Sequence, residues 1–268
     1  MQEVNESVLA EIERIARKAG DLIMEVYARD FTVVDKDDKS PLTEADAKAH
    51  SYIVSELQAL SPATPILSEE DVGSFAGPDG YNQYWLVDPL DGTKEFIKRN
   101  GEFTVNIALI DSGKAILGVV YAPAIDVLYS AAQGFGAKKV EGNETASISV
   151  SSYVQGELCR VVGSRSHGSD TMGTFLQRLP QHQMVAMGSS LKLCLIAEGQ
   201  ADIYPRLGPT SLWDTAAAQC VVEVAGGKVV TLAGEPLGYG NTSKILNPYF
   251  LAIGAGDIDW VGMFSDIV

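Results

Sequence analysis

Residues 84–93, YWLVDPLDGT, constrain the chain more than any other stretch. The apolar start is long enough for a buried strand, which is predicted to stop at Asp88 and Asp91, with Pro89 and Gly92 turning the backbone. Strand ends in open α/β sheets are where ligands bind, so these carboxylates are placed to meet a partner. Two fixed carboxylates repel each other, and oxygen ligands suit Mg²⁺, so a divalent-cation site is predicted. A polar turn after a strand is the alternative that this stretch alone leaves open.

The spacing of the two acids also bears on the type of chemistry. Phosphatases that form an aspartyl-phosphate carry D-x-D-G-T after a strand, whereas this chain reads D-x-x-D-G-T. The extra residue changes the direction of the second acid relative to the first. A covalent nucleophile of that type is therefore not expected.

Three further acids stand in patterns that fit either a structural or a chemical role. Glu69 follows the short apolar segment 65–67 in a run of acids that is usually a solvated turn. Asp214 begins a helical pattern, where an acid caps free N–H groups. Thr43 and Asp46 are close to a capping box, although Asp46 also fits a buried acid that polarises a catalytic hydroxyl. Glu69 follows a second strand that ends in carboxylates within about 20 residues of the first, and this coincidence favours the metal interpretation.

Composition excludes several classes of function. The 268 residues carry 35 acids against 20 bases, a formal charge of −15, which argues against nucleic-acid polymers as partners. No apolar stretch approaches the roughly 20 residues needed to span a bilayer, and no leader peptide is visible, so a cytoplasmic protein without an integral membrane segment is expected. The three cysteines are widely spaced among apolar neighbours and are expected to be reduced.

The predicted elements give a layered α/β fold. Apolar positions recurring at three and four predict a helix from Val4 to about Ala28, and a second helix follows Asp46. Strand patterns from 103 onward predict a largely antiparallel sheet covered by these helices, and the second half alternates strands with helices. A polar stretch at 142–152 suggests two parts, an N-terminal half at 1–150 and a C-terminal half at 151–268.

The second half also carries a candidate anion site. Ser189 and Ser190 are predicted at a helix N-terminus, and Lys192 and Arg206 add positive charge. A serine cap with two surface bases is the alternative. His167 lies in the same half of the chain, and a lone histidine is more often structural.

Glu69, the run DPLDGT at 88–93 and the pattern W-D-x-A-A at 213–217 occur in the order found in one superfamily. The chain resembles the magnesium-dependent, lithium-sensitive phosphomonoesterases typified by inositol monophosphatase, from Asp46 to the last strands. This resemblance implies an αβαβα sandwich of the sugar-phosphatase type, an α+β layered member of the α/β class. It also implies that phosphate esters are hydrolysed without a covalent intermediate.

Within that superfamily the chain looks most similar to the 3'(2'),5'-bisphosphate nucleotidases of the CysQ type, and further short runs support this resemblance. These runs are LSEED at 67–71, RNGEFT at 99–104, SRSH at 164–167, GSSLK at 188–192 and YPR at 204–206. The resemblance implies hydrolysis of adenosine 3',5'-bisphosphate to AMP and phosphate, and of its sulfated relative, in sulfur metabolism. An inositol or sugar phosphatase is the second interpretation, since it shares the fold, and a non-catalytic metal or nucleotide sensor is the third. A homodimer and a peripheral association with the inner membrane stay open.

The resemblance also implies a role for each motif residue. Glu69, Asp88 and the Leu90 carbonyl would bind one Mg²⁺, and Asp88, Asp91 and Asp214 would bind a second, with a third ion left open. Asp46, Thr93 and Glu69 are the implied catalytic residues. The implied substrate contacts come from both halves of the chain: Glu69, Leu90, Asp91, Gly92, Thr93, His167, Ser189, Lys192, Arg206 and Asp214. Glu70 is expected to lie beside the metal ligands rather than to be one of them. Either Lys36 or Lys39 is expected to close over the metal site.

Overall fold

The computed structural model describes residues 2–35, 41–80, 82–163, 170–179 and 181–264. Helices in these ranges are α1 (Glu6–Tyr27), α2 (Glu44–Leu60), α3 (Thr93–Ile97), α4 (Asp170–Leu176), α5 (Leu191–Ala197) and α6 (Ala216–Val224). Strands of the first half are β1 (Val33–Asp35), β2 (Pro41–Thr43), β3 (Ile66–Ser68), β4 (Gln83–Asp91), β5 (Thr104–Asp111), β6 (Lys114–Ala122), β7 (Val127–Ala132), β8 (Gly136–Glu141) and β9 (Glu144–Ser147). Strands of the second half are β10 (Cys159–Gly163), β11 (His182–Ala186), β12 (Ile203–Arg206), β13 (Lys228–Thr231) and β14 (Phe250–Ile253).

The larger sheet has seven strands, β3 to β9, in chain order. Strand β3 runs parallel to β4, and every later pair is antiparallel, which confirms the predicted meander. Strands β4 to β7 are almost wholly buried, because both faces of the sheet are covered by helices. Their sequences accordingly read as continuous apolar runs.

Helices α1 and α2 cover one face of this sheet. The Asn5 side chain caps α1 by accepting the Val8 N–H at 2.9 Å. One stripe of α1, with Ile12, Ile15 and Ile23 fully buried, packs with α2 against the strands. The periodicity from Val4 to Ala28 therefore predicted α1 correctly, because an amphipathic helix needs only one covered face.

Helices α5 and α6 fill the space between the two sheets. A Cβ atom on Gly118 of β6 would overlap the carbonyl oxygen of Ala217 in α6, so only glycine lets this strand and helix approach so closely. Beyond these helices lies a five-stranded sheet in the order β11-β10-β12-β14-β13. A third cluster, with Phe175 of α4 stacked on Phe264, covers its far face.

The layers therefore run helix, sheet, helix, sheet, helix, as the predicted αβαβα sandwich requires. The polar stretch at 142–152 contains β9, the last strand of the larger sheet. One hydrophobic cluster joins residues of both halves, including Tyr84 and Trp213, and the division into 1–150 and 151–268 stays a prediction. Among the described residues, no helix is both long and apolar enough to cross a membrane.

Candidate active site

Asp88 and Asp91 lie inside β4 and not beyond its end. The pairing of β4 with β5 shifts between Asp88 and Asp91, and Asp91 then pairs with Thr104. The strand was predicted to stop at these two acids, and it ends at Asp91. It continues past Asp88 because an irregularity around Pro89, which has no N–H to donate, lets pairing resume at Asp91. Asp88 is 1% exposed, and its Oδ1 accepts the Leu90 N–H at 3.0 Å.

Asp91 is held by donors from two other elements. Its Oδ2 accepts the Ser190 N–H at 2.6 Å and the Ser190 hydroxyl at 2.7 Å. Asn106 Nδ2 and Thr104 Oγ1 of β5 lie at 3.4 and 3.5 Å from the same oxygen. The carboxylate direction is thus fixed by the fold.

Asp214 belongs to a 3-10 turn, Leu212–Asp214, that precedes α6. Its Oδ2 accepts the Ser211 N–H at 2.9 Å and completes a capping box. A cap at a helical start was predicted, but the α-helix expected from Trp213 begins only at Ala216. Asp214 therefore sits on a tight turn and not on a regular helix.

Asp88, Asp91 and Asp214 form a carboxylate cluster in which one oxygen of each lies within 4.8 Å of the others. Burial and the charges of Glu69, Asp91 and Asp214 raise the pKa of Asp88 well above its usual value. Burial and the Asp91 charge raise the pKa of Asp214 to about 8. Anions packed this closely destabilise one another unless a cation or a proton lies between them.

Two more predicted ligands lie at the same place. Glu69 directly follows β3, its N–H donates to the Val87 carbonyl at 3.1 Å, and its carboxyl hydrogen-bonds to Asp88. The Leu90 carbonyl lies 3.4 Å from Thr93 Oγ1. All of these candidate metal ligands bind through oxygen, and the carboxylates place negative charge in a largely buried site. The set therefore fits a hard divalent cation.

Asp46, which is buried, and Thr93, which is half-buried, form a pair beside the cluster. Asp46 is 1% exposed, and its Oδ2 accepts the Thr43 N–H at 2.8 Å and the Thr43 hydroxyl at 2.7 Å, which is the capping box predicted for α2. Its Oδ1 lies 3.5 Å from Thr93 Oγ1. Burial, opposed by the Thr43 bonds and reinforced by the Glu70 charge, raises the pKa of Asp46 to about 6. The cap and the contact to the hydroxyl coexist in one side chain.

Gly92 joins these residues to the second half of the chain. It adopts φ +91°, in the left-handed region, where it precedes α3. A Cβ there would lie 3.1 Å from the Glu102 carbonyl oxygen and 3.3 Å from the Ser189 Cβ. Glycine is therefore required both by the turn and by the approach of Ser189.

A small pocket of about 70 Å³ opens beside the cluster. Its polar lining combines the Asp91 and Asp214 carboxylates with Ser189, Lys192, Tyr204, Arg206, Thr210 and Thr215. Ser189 Oγ and Arg206 Nε are buried donors without a hydrogen-bond partner in the described part of the chain. Such orphaned donors are rare unless a ligand or water satisfies them.

Lys192 brings a positive charge to this pocket. Burial lowers the pKa of its ammonium group, although the charges of Asp91, Glu95 and Asp214 oppose that effect. The Lys192 Nζ lies 5.9 Å from the centre of the Tyr204 ring, and within the described ranges Lys192 makes no ion pair. Burial also raises the pKa of Tyr204 to about 12, so that its hydroxyl keeps its proton at neutral pH. The pocket thus presents donors to an anion.

One prediction changes here, and one residue of the site was not predicted. Ser190 was expected to serve an anion with Ser189, but both of its donors face Asp91, and so only Ser189 of that pair has a free hydroxyl. Asn106, which also donates to Ser190 Oγ at 2.8 Å, was not anticipated, since its sequence signal is one polar residue in an apolar strand. His167, Lys36 and Lys39 lie outside the described residues.

Comparison with known proteins gives a consistent result. The model of the inositol monophosphatase family matches residues 4–254. The chain is 51% identical over 248 residues to the 3'(2'),5'-bisphosphate nucleotidase CysQ of Escherichia coli K12, covering 91% of this chain and 98% of that protein. The crystal structure of CysQ from Bacteroides thetaiotaomicron superposes with a TM-score of 0.78 at 37% identity, covering 93% of this chain and 97% of the other. An inositol monophosphatase from Thermotoga maritima reaches 0.73 at 28% identity, covering 92% of each chain.

Proposed function

The chain belongs to the inositol monophosphatase family, and we propose that it acts there as a 3'(2'),5'-bisphosphate nucleotidase. Its substrate is adenosine 3',5'-bisphosphate, which it converts to AMP and phosphate, and the sulfated relative of that nucleotide is a second substrate. The observation that carries this proposal is the pairing of an acidic cluster with an adjoining pocket that also contains Lys192 and Arg206. A nucleoside bisphosphate carries two phosphates, so one can bind at the acidic cluster and the other in the pocket.

The size of the pocket supports this division. At about 70 Å³ it is far smaller than the roughly 300–1,000 Å³ that encloses a whole small molecule, so it accommodates one phosphate-sized group. Ser189 Oγ, Lys192 Nζ and Arg206 Nε would bind the phosphate that is kept. The ester to be cleaved would then lie at the carboxylates, because Asp91 and Asp214 line both regions.

The carboxylates would hold magnesium. Asp88, Asp91 and Asp214 would bind one ion, and Glu69, Asp88 and the Leu90 carbonyl a second. Bound there, magnesium would lower the pKa of a water molecule and stabilise charge on the phosphate oxygens. The number of ions stays a prediction, as do a homodimer and a cytoplasmic location.

Thr93 and Asp46 would handle the proton of the attacking water. Thr93 Oγ1 would accept that proton while its own hydroxyl proton passes to Asp46 Oδ1, so that the proton ends on the Asp46 carboxyl. Two oxygens can accept from Thr93 Oγ1: Asp46 Oδ1 at 3.5 Å and the Leu90 carbonyl at 3.4 Å. Both distances are longer than that of an ordinary O–H···O hydrogen bond. Such contacts often tighten only when substrate is bound.

The proposal is tested by phosphate release from purified protein with Mg²⁺, comparing adenosine 3',5'-bisphosphate, 3'-AMP and inositol 1-phosphate. We expect the bisphosphate to have the highest kcat/KM, and EDTA to abolish turnover. Asp91→Asn, which keeps the size of the side chain, should retain the fold by circular dichroism and lose turnover. Preference for inositol 1-phosphate would overturn the assignment of the pocket, and no turnover of any substrate would overturn the enzymatic function.

A further inference from the structure

A segment of the second half, residues 245–247, is bound to the turn that carries Asp214. The Leu212 N–H donates to the Ile245 carbonyl at 2.8 Å, and the Asn247 N–H donates to the Thr210 carbonyl at 2.9 Å. Ser211 and Leu246 form an isolated antiparallel bridge between these two contacts. The segment therefore follows the turn along its whole length.

The side chain of Asn247 adds contacts at three points of the same turn. Its Nδ2 lies 2.7 Å from the Ser211 carbonyl, 3.1 Å from Thr215 Oγ1 and 3.3 Å from Thr210 Oγ1. Because a carbonyl oxygen only accepts, the amide nitrogen and not the oxygen must face Ser211. These contacts bracket Asp214, whose own Oδ2 accepts the Ser211 N–H at 2.9 Å.

A buried polar network supports the far side of these contacts. Thr215 Oγ1 lies 3.0 Å from the Tyr239 hydroxyl, which donates to Gln219 Oε1 at 2.7 Å. Gln219 Nε2 in turn donates to the Leu237 carbonyl at 2.8 Å. The Thr215 hydroxyl is thus held on one side by Tyr239, which Gln219 of α6 holds in turn, and on the other side by Asn247.

We propose that Asn247 is a positioning residue, whose amide fixes the turn at 210–215 so that Asp214 faces the carboxylate cluster while Thr210 faces the phosphate pocket. The inference rests on the proposed function for the assignment of Asp214 to a metal site. Asn247 itself does not line the pocket. Its effect on metal and substrate passes through Thr210, Ser211 and Thr215.

The test is direct Mn²⁺ binding, followed by electron paramagnetic resonance, because Mn²⁺ reports on a magnesium site without requiring turnover. Asn247→Leu keeps the branched shape and the number of non-hydrogen atoms of the side chain, and it removes both amide protons. Mutation of residues that orient metal ligands typically lowers metal affinity or activity 10- to 100-fold. We expect Asn247→Leu to lower the Mn²⁺ affinity by a factor in that range. Asn241→Leu is the control, since Asn241 is exposed on the same loop and its hydrogen bonds in the described residues are to Ser243 and Lys244.

The outcomes separate the two proposals. Mn²⁺ affinity of folded Asn247→Leu equal to that of the unaltered protein overturns the positioning role, whereas a loss absent from Asn241→Leu supports it. If Asn247→Leu does not fold, Asn247→Gln decides, because it displaces the amide by one methylene, and unchanged affinity again overturns the proposal. Failure of the unaltered protein to bind Mn²⁺ refutes the metal centre itself.

Discussion

Replacing Lys192 with Met tests the division of the substrate between two subsites. The change keeps an unbranched chain of similar length and removes the ammonium group from the pocket. A hydrogen bond to a charged group contributes about 1.5–3 kcal/mol. At about 1.4 kcal/mol for each factor of ten, kcat/KM for adenosine 3',5'-bisphosphate should fall about 10- to 150-fold.

The assay compares the bisphosphate with 3'-AMP, which has the same nucleoside but no second phosphate. For 3'-AMP we expect kcat/KM to change less than about threefold, because an uncharged ribose hydroxyl takes the place of the phosphate. The melting temperature of the metal-free variant should not fall, since burial already disfavours the Lys192 ammonium. An equal loss with both substrates would refute the reasoning, because Lys192 would then act on the cleaved phosphate or on the fold.

Three other changes have definite expected outcomes. Thr93→Val should lower kcat about 10²- to 10⁴-fold while Thr93→Ser retains most activity, measured by steady-state phosphate release, because only serine keeps the hydroxyl. Asp202→Asn should lower the free energy of unfolding in urea by about 2–3 kcal/mol at pH 7, since it leaves Arg160 without its carboxylate. Burial alone would raise the pKa of Asp202, but Arg160 holds it below its usual value, so this difference should shrink as the pH falls below about 4. Gly118→Ala should lower the unfolding free energy by about 1–3 kcal/mol or more, whereas Gly73→Ala, which meets nothing within 4 Å, should change it little. Similar urea midpoints for the two glycine variants would contradict the close packing of β6 on α6.

Local patterns predicted much of the fold and part of the site. The stripe of α1 and the apolar run of β4 could be recognised because each element buries a face that its own sequence marks. The capping box at Thr43 was likewise readable, since its partners are three residues apart. The order of the acidic motifs predicted the cluster only through the family resemblance. Spacing alone leaves structural explanations for each motif.

Contacts between distant residues could not be predicted in the same way. Ser190 meets Asp91 across 99 positions in the chain, and no local rule distinguishes it from Ser189. The same holds for Asn247, whose partners lie 32 to 37 positions away. These residues come together only when the helices and sheets of the fold pack against one another. A serine or asparagine in a turn carries no signal of its long-range partner.

The strand order of the smaller sheet has a consequence for how the chain is made. Strand β14 comes after all the other described strands in sequence, yet it lies between β12 and β13, and β13 pairs only with β14 in the described sheet. During synthesis, a nascent chain that stops before residue 250 therefore leaves β12 with an open edge and β13 without a neighbour. Open edges invite aggregation. Ribosome-bound chains ending shortly before residue 250 should thus be cut by proteases in their second half while the meander of the first half is already protected.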